Sequence, residues 1–358
     1  MAVVRLPGLV DPHVHLRDPG QTHKEDFSTG TQAAIAGGFT TIFDMPNNKE
    51  PIFTKKALVE KIKATKSNIV CDVGFYFGSL GDNLEEFGKV KKQTWGLKLY
   101  LNETTGNLLV DRALLFDIFL QWRRGPILVH AEDEAVPLIL NVVEKTGKRT
   151  HFCHVAGKND LKRIINAKEK GLPITCGVTP HHLFLTQEDE KTLGPFGKMK
   201  PRLRPKREVA FLWKYIKAID MIESDHAPHT KQEKLGEGWR ARGTPVEHPM
   251  IPFGVPGLET TLPLLLTAVS ENRLTIDEVV RLCHTGPKRL LGLETEKNTY
   301  IKVDLKANYI IQNTNLFTKC GWTPFDGMRV KGKMNKVVIR GTKVFEEGKI
   351  ITSIGKVI

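Results

Sequence analysis

The sequence has few cysteines and no long apolar run, and both absences limit what the protein can be. Its five cysteines are scattered along 358 residues with no Cys-x-x-Cys pair. An odd, dispersed set in a chain of this size is typical of reduced thiols in a cytoplasmic enzyme. No stretch approaches the roughly 18 consecutive apolar residues of a membrane span, and the N-terminus lacks the apolar core of a secretory signal. We therefore expect a cytoplasmic protein without a membrane partner.

Recognised nucleic-acid modules are also missing, although the formal net charge is +13. The basic residues are spread over predicted helix faces without interleaved aromatic residues, which does not match a nucleic-acid surface. A positive field that concentrates an anionic substrate is the better interpretation. The apolar share of 40% and the charged share of 26% are ordinary for a globular protein. We expect a small-molecule substrate and no nucleic-acid partner.

Short apolar segments, each followed by an amphipathic helical pattern, recur about eight times over the first part of the chain. This repetition predicts an α/β fold of the (β/α)8 TIM-barrel type. An open doubly wound sheet is the alternative, but it would rarely need eight units. The predicted strands are Leu9–His15, Thr40–Asp44, Cys71–Phe77, Trp95–Tyr100, Ile127–His130, Thr150–His154, Pro173–Gly177 and Ile219–Ser224.

The pattern changes to short strands and glycine turns from about Tyr300 onwards. This tail predicts a small β appendage formed by the chain ends, with Val3–Leu6 contributing a strand from the N-terminal side. We expect the barrel to occupy residues 7–297 and the appendage to occupy residues 1–6 and 298–358.

Side chains that can hold metals fall at the predicted C-terminal ends of the strands, where barrel enzymes have their active sites. His13 and His15 are two residues apart on one strand, so both imidazoles point to the same side. Ordinary core or surface histidines would explain that pair alone. Later strands add three further ends and one internal lysine, namely His130, His154, Asp225 and Lys98. Imidazole and carboxylate ligands indicate zinc or a related divalent ion.

Lys98 is the unusual member of this set because it lies within an apolar strand. A bare ammonium is costly there, so the side chain must be neutral, paired or modified. Between two cations, a carbamate formed with CO2 would be an anionic bridge. A lysine that snorkels to the barrel rim is the alternative.

At these positions the sequence resembles dihydroorotase of the amidohydrolase superfamily, and it is most like the dihydroorotase domain of the animal multifunctional pyrimidine-synthesis polypeptide. The resemblance runs in register from about Leu6 to Pro287, with a weaker echo in WTPFDGMRVKG. The segments that carry it are PGLVDPHVHLRDPG, DMPN, GLKLYLNET, VHAE, CHVA, TPHH, SDHAPH and PGLETTLPLLLTAV.

The resemblance implies a zinc-dependent, reversible reaction between dihydroorotate and N-carbamoyl-aspartate in pyrimidine biosynthesis. His13, His15 and Asp225 would hold one zinc, His130 and His154 the other, and carboxylated Lys98 would bridge both. A hydroxide between the metals would attack the ring carbonyl, with Asp225 as general base and then general acid. A homodimer and association with other pyrimidine-pathway enzymes are further implications of the family.

Substrate contacts are implied in the same way. Arg17 would bind the carboxylate of dihydroorotate, because a guanidinium matches a carboxylate with paired hydrogen bonds. The family's other contacts correspond to Asn47, His229 and, in a loop that closes over the substrate, Thr104. Both Asn47 and Arg17 have alternative interpretations. Asparagine is a common turn former, and an arginine in a loop is often an ordinary surface charge.

Three departures from the family pattern matter. Gly177 replaces the glutamate of a C-E-V-x-P-H-H motif that helps to bind a third metal in the animal enzyme, so a third metal is doubtful and Cys153 is interpreted as a small buried hydrophobe. Lys200-Pro201-Arg202-Leu203-Arg204 replaces N-P-P-L-R, which leaves open whether Lys200 or Arg204 contacts the substrate. The segment Glu237–Val255 is long and is expected to be a surface loop.

Two other functions compete with dihydroorotase. An allantoinase or hydantoinase would share the metal ligands, but we expect those relatives to differ at Arg17. A catalytically inactive dihydroorotase-like scaffold would keep the fold and lose ligands, whereas all six candidate ligands are present here.

Overall fold

The computed structural model describes residues 3–65, 69–104, 106, 108–236, 251–294 and 296–358. The protein is an α/β barrel with an antiparallel sheet built from both ends of the chain, as the sequence predicted. The strands are β1 Val3–Pro7, β2 Leu9–Val14, β3 Phe39–Asp44, β4 Asp72–Phe75, β5 Phe77–Gly78, β6 Leu97–Tyr100, β7 Ile127–His130, β8 Thr150–Phe152, β9 Ile174–Val178, β10 Met221–Ile222, β11 Tyr300–Ile310, β12 Arg329–Ile339, β13 Thr342–Glu346 and β14 Lys349–Ile350.

Strands β2 to β10 form the barrel in sequence order. Parallel pairing runs from β2 through β3 to β4, and from β5 through β6, β7, β8 and β9 to β10. Only Tyr76 separates β4 from β5, so we count these two segments as one interrupted barrel strand. A parallel bridge between Val14 and His226, with the His15 amide donating to the His226 carbonyl at 2.8 Å, closes the ring. Counted in this way, the described residues form eight barrel strands. These coincide with the eight predicted strands, with bounds that differ by a few residues.

Helices cover the outside of the barrel, and every residue of β2, β4, β6 and β7 is buried. Such continuous burial is expected where the interior packs on one face of a parallel sheet and helices pack on the other. The helices are Phe27–Ala36, Lys55–Thr65, Phe87–Val90, Leu115–Gln121, Ala135–Thr146, Lys158–Glu169, Pro180–Phe184, Gln187–Leu193, Lys206–Lys214, Lys231–Lys234, Leu258–Ser270, Ile276–Val280 and Gly286–Leu291, with a π-helical turn at Arg281–Thr285. Single 3-10 turns occur at Leu84–Glu86, Arg112–Leu114, Gly194–Gly197, Ile216–Ala218 and Asn313–Asn315.

The second sheet has the antiparallel order β1-β11-β12-β13-β14, and Val3 to Pro7 pair with Asp304 to Tyr300. The predicted contribution of the N-terminal segment is therefore confirmed. The chain then returns to the barrel, where Val357 forms a parallel bridge with Val73 of β4. This segment therefore lies along β4, whereas β6 pairs with β5 on one side and with β7 on the other. The division of the chain at residues 7 and 297 stays a prediction. Within the described residues, no helix has both the length and the apolar character needed to cross a bilayer.

Candidate metal centre

The first cluster of candidate ligands lies where β2 ends. His13 and His15 point the same way, as their spacing predicted, and both face the carboxylate of Asp225. Oδ1 of Asp225 is 3.3 Å from Nε2 of His13 and 3.1 Å from Nε2 of His15. The three side chains are buried, and their ligand atoms lie within 4.8 Å of one another. The structure thus brings together one half of the predicted ligand set.

The second cluster lies at the ends of β7 and β8. Nδ1 of His130 faces Nε2 of His154 at 3.2 Å. The outer nitrogen of His130, Nε2, is 3.2 Å from Oε1 of Glu132, whose other oxygen accepts a hydrogen bond from Arg204. A carboxylate on the outer nitrogen of a histidine fixes its tautomer and its ring orientation. The imidazole of His13 joins the two clusters, with its ring centroid 5.1 Å from that of His154.

Lys98 lies beneath both clusters, on β6, and is fully buried. Its Nζ is 3.2 Å from Sγ of Cys153 and 4.9 Å from the ring centroid of Tyr100. Across the described ranges, no carboxylate forms an ion pair with this ammonium, and a thiol is only a weak acceptor. The snorkelling alternative is therefore not seen, because the amine does not reach the rim. A buried amine with so little compensation is costly when it is charged.

Burial sets the ionisation of the imidazoles. It lowers the pKa of His13 to about 4 and holds the pKa values of His15 and His154 well below the usual range. Burial also raises the pKa of Asp225, although the nearby His13 opposes this shift. Neutral imidazoles have a free lone pair, which is the form that binds a metal. A cation placed among these groups would favour the ionised form of Asp225.

Three of the predicted site residues at the barrel rim have left-handed backbone conformations. The φ angles are 65° for Arg17, 37° for His154 and 45° for Asp225. Non-glycine residues in sparsely populated regions cost of the order of 1–3 kcal/mol each and cluster at functional sites. Each of the three lies shortly after the end of a barrel strand.

The clusters border a narrow recess at the barrel rim. Arg17, Asn47, Thr104 and Lys200, all predicted substrate contacts, line this recess together with the five candidate histidine and aspartate ligands. Its complete lining is His13, His15, Arg17, Asn47, Tyr100, Thr104, His130, His154, Lys200, Asp225, Ala227, Phe253 and Gly254. Lys200 therefore borders the recess, whereas Arg204 pairs with Glu132. The predicted closure of the loop at Thr104 stays a prediction, since position 105 lies outside the described residues.

His229 lies behind Arg17 and is not part of the lining. Nε of Arg17 donates to the Pro228 carbonyl at 3.1 Å, and its NH2 atom lies 3.2 Å from Nε2 of His229. Nζ of Lys24 is 3.2 Å from Nδ1 of His229, and the Phe253 carbonyl is 3.0 Å from Nε2. The tautomer with its proton on Nε2 satisfies both contacts, because Lys24 then donates to Nδ1 and His229 donates to Phe253. In that tautomer the guanidinium keeps donors for the recess.

Sequence reasoning missed several residues of the site. Phe253 and Gly254 line the recess, so the expectation of a surface loop is wrong for the end of the segment Glu237–Val255, whose residues 237–250 lie outside the described ranges. Cys153 is buried, as expected, but it also contacts Lys98 and forms a possible ligand group with His13 and Glu223. Glu223 is a fully buried acid two residues before Asp225, and this position in an apolar run was the signal that could have identified it.

Comparisons with known proteins agree with this geometry. Residues 4–102 match the model of the amidohydrolase family. The chain is 43% identical to multifunctional protein CAD of Squalus acanthias over 99% of its own length, although it spans only 15% of that relative. It is 35% identical to dihydroorotase of Pyrococcus furiosus, with 97% of this chain and 83% of the relative covered.

Solved structures give the same fold. L-hydantoinase (dihydropyrimidinase) from Arthrobacter aurescens is 26% identical, with a TM-score of 0.89 over 98% of this chain and 87% of that chain. The inactive dihydroorotase-like domain of a Chaetomium thermophilum CAD-like multifunctional protein is 25% identical, with a TM-score of 0.82 and complete coverage of both chains. The identity and coverage of the Pyrococcus relative decide the family: this chain belongs to the dihydroorotase family.

Proposed function

We propose that the protein is an active dihydroorotase that interconverts dihydroorotate and N-carbamoyl-aspartate. One observation carries the proposal: a guanidinium, Arg17, borders the same recess as two adjoining sets of buried metal-ligand side chains. This combination suits a small substrate that presents a carboxylate to the guanidinium and a reactive amide to the metal ligands. Relatives with dihydroorotase in their names support the same activity.

The side chains fit a pair of zinc ions. His13, His15 and Asp225 would hold one ion, and His130 and His154 the other. Burial keeps the imidazoles of the set neutral, and the inner nitrogens of His130 and His154 face each other while the outer nitrogen of His130 is engaged by Glu132. Bound zinc would lower the pKa of a water molecule and polarise the substrate carbonyl.

Lys98 would join the two sets as a carbamate. Addition of the Lys98 amine to CO2, with loss of one proton, would put an anion with two oxygen ligands in place of the amino group. This exchange of charge favours cations on either side, and the cations in turn favour the anion. The absence of an ion-pair partner for Lys98 in the described part of the chain supports this assignment.

Asp225 would move the proton during the reaction. In hydrolysis, a water oxygen bonds to the ring carbonyl carbon, the carbon–nitrogen bond breaks, and one proton passes from the water to the departing nitrogen. Asp225 borders the recess and adjoins both histidines of the first cluster, so it is placed to accept that proton and to deliver it. Cyclisation runs through the same transfers in the opposite order.

Arg17 would bind the substrate carboxylate, with Lys200 adding a second positive charge at the recess. Asn47 has its Oδ1 2.5 Å from Nδ1 of His15, which leaves its amide Nδ2 as a donor. Thr104 adds a hydroxyl to the lining. The resemblance also assigns His229 to the substrate carboxylate, and this side chain lies directly behind Arg17, with Nε2 3.2 Å from the NH2 atom of the guanidinium.

Assays of the purified protein would test this function. We expect turnover of dihydroorotate and of carbamoyl-aspartate and little turnover of hydantoin or dihydrouracil, which lack the carboxylate. Preferred turnover of the latter two would identify a hydantoinase instead. Absence of all turnover, together with no bound zinc by elemental analysis and an unmodified Lys98 by intact mass, would identify the inactive scaffold.

The relatives also suggest which other enzymes associate with this protein. Because the chain spans 15% of the Squalus relative, which is named as a multifunctional protein, association with other pyrimidine-pathway activities is part of the proposal. We also propose that the protein forms a homodimer and acts in the cytoplasm. Light scattering of the purified chain would measure the oligomeric state, and a monomer at micromolar concentration would contradict the dimer.

A further inference from the structure

Glu223 follows β10 and lies inside the barrel, directly beneath the metal-ligand side chains. Its side chain is fully buried. Oε2 is 3.1 Å from Nδ1 of His13, and Oε1 accepts a hydrogen bond from the backbone amide of His154. Nε2 of His151 lies 3.6 Å from Oε2. One carboxylate therefore contacts a candidate ligand of each metal set, one through its ring and the other through its backbone.

The contact with His13 determines which ring nitrogen carries the proton. A carboxylate oxygen only accepts hydrogen bonds, so Nδ1 of His13 must be the donor. The lone pair then lies on Nε2, which faces Asp225 at 3.3 Å. The contact is between a carboxylate and an imidazole N–H, which is the arrangement that orients metal-binding histidines.

Gly177 provides the space in which this carboxylate lies. A Cβ atom added at position 177 would be 2.4 Å from Oε1 and 2.7 Å from Cδ of Glu223. Real Cβ contacts are essentially never that short, and Glu223 cannot move aside without losing its hydrogen bonds to His13 and His154. A side chain at position 177 and the native position of Glu223 are therefore mutually exclusive. The glycine on β9 and the glutamate after β10 form one structural unit.

We infer that Glu223 is a positioning residue that holds His13 in the metal-binding tautomer and orientation, and that Gly177 is required because the Glu223 carboxylate fills the space above it. This inference rests on the proposed function only in assuming that His13 binds a metal. It also explains the glycine at position 177, where the family pattern has a glutamate. The carboxylate that β9 lacks is supplied by Glu223, at the end of the neighbouring strand β10.

Cys153 offers another interpretation, because its Sγ lies within 4.8 Å of the ligand atoms of His13 and Glu223. In that arrangement Glu223 would bind a further metal directly. The positioning role is favoured by the contacts that the chain itself supplies, since both oxygens of Glu223 already have partners in His13 and in the His154 amide. The two interpretations predict different metal counts.

The test compares Glu223→Gln and Glu223→Ala with Glu259→Gln. Glu259 is the control because it is also a buried glutamate that accepts backbone N–H bonds, from Phe317 and Thr318, and it is not among the residues that line the recess. Zinc affinity is measured by competition with a chelator, and folding by thermal unfolding of the metal-free protein. We expect both Glu223 variants to bind zinc about 10- to 100-fold more weakly, with two metals at saturation, and the control to be unchanged. The alanine variant leaves a cavity, whereas glutamine preserves the volume and tests the charge.

A second pair of variants tests the coupling with Gly177. Gly177→Ala should destabilise the native protein, but it should be tolerated in the Glu223→Ala background, where the blocking carboxylate is gone. Gly177→Glu combined with Glu223→Ala should restore part of the lost zinc affinity, because the carboxylate returns from β9. Unchanged zinc affinity in Glu223→Gln and Glu223→Ala, or additive effects of the two positions, would overturn the inference. So would a third equivalent of zinc that is lost in both Glu223→Ala and Cys153→Ala. None of these readouts requires turnover of dihydroorotate, so they are independent of the proposed activity.

Discussion

Arg17 gives the sharpest test of the proposed substrate, because its contribution can be separated from the metal chemistry. Its guanidinium borders the recess, is 5% exposed, and is held by the Pro228 carbonyl at 3.1 Å. A hydrogen bond to a charged group contributes about 1.5–3 kcal/mol, and each 1.4 kcal/mol is about a factor of ten. Losing a bidentate pair in Arg17→Gln should therefore lower kcat/KM for dihydroorotate about 100-fold or more. Arg17→Lys keeps the charge but loses the planar fork, and we expect a loss of about 10-fold.

The decisive comparison uses dihydroorotate and its methyl ester, which keeps the ring and lacks the charge. The preference of the native enzyme for the acid should collapse in Arg17→Gln, while kcat/KM for the ester changes little. Arg202→Gln is the control, because Arg202 lies close to Lys200 in sequence but pairs with Glu190 and its side chain is 64% exposed. Equal losses for the acid and the ester would show that Arg17 supports the site structurally and would refute carboxylate recognition.

Three further outcomes follow from the same geometry. Lys98→Ala should lower zinc content as well as activity, and elemental analysis that still finds two metals would refute its bridging role. Arg204→Gln should weaken zinc binding less than 10-fold, because Arg204 acts on His130 only through Glu132; a loss of substrate affinity alone would place it in the carboxylate site instead. Burial lowers the pKa of His182 from 6.5 to about 4. Between these pH values the unfolded chain therefore binds more protons than the folded protein. The contribution of His182 to the free energy of unfolding should fall on acidification, by up to about 3 kcal/mol. Denaturant titrations of the metal-free protein from pH 7 to pH 4 should show this fall, and His182→Asn should make it smaller. An identical pH dependence in the variant would contradict the contribution of His182.

The barrel and most of its rim follow from sequence because they depend on periodicity. Alternation along β2 places His13 and His15 on one side, and the parallel order of the strands brings their ends to one rim. The candidate ligands of both sets are therefore predictable once the strands are recognised. Arg17 follows from the family resemblance and borders the recess, whereas Lys200, which also borders it, lies where the sequence departs from the family pattern and left the choice between Lys200 and Arg204 open.

Other parts of the site depend on packing that leaves no pattern in the sequence. Phe253 and Gly254 reach the recess from a segment with neither helical nor strand periodicity. The parallel bridge from Val357 to β4 involves too few residues to predict a strand. His229 has a side chain that the family pattern assigns to the substrate, yet its position is set by Lys24 and the Phe253 carbonyl, which are distant in sequence.

The strained turns at Arg17, His154 and Asp225 explain why the surrounding buried polar contacts are so numerous. A left-handed residue persists only where its neighbours hold it, since a relaxed backbone would lower its energy. Below the rim, Asp11 accepts hydrogen bonds from the His13 and Ser224 amides, at 3.0 Å and 3.2 Å. Burial raises the pKa of Asp11 to about 7, so this contact itself costs desolvation energy. Contacts that are costly to form and that oppose strain are better explained by the fixed geometry of the metal ligands than by stability of the fold. The carboxylates of Asp11 and Glu223 support this geometry from below, one through the backbone of His13 and the other through its ring.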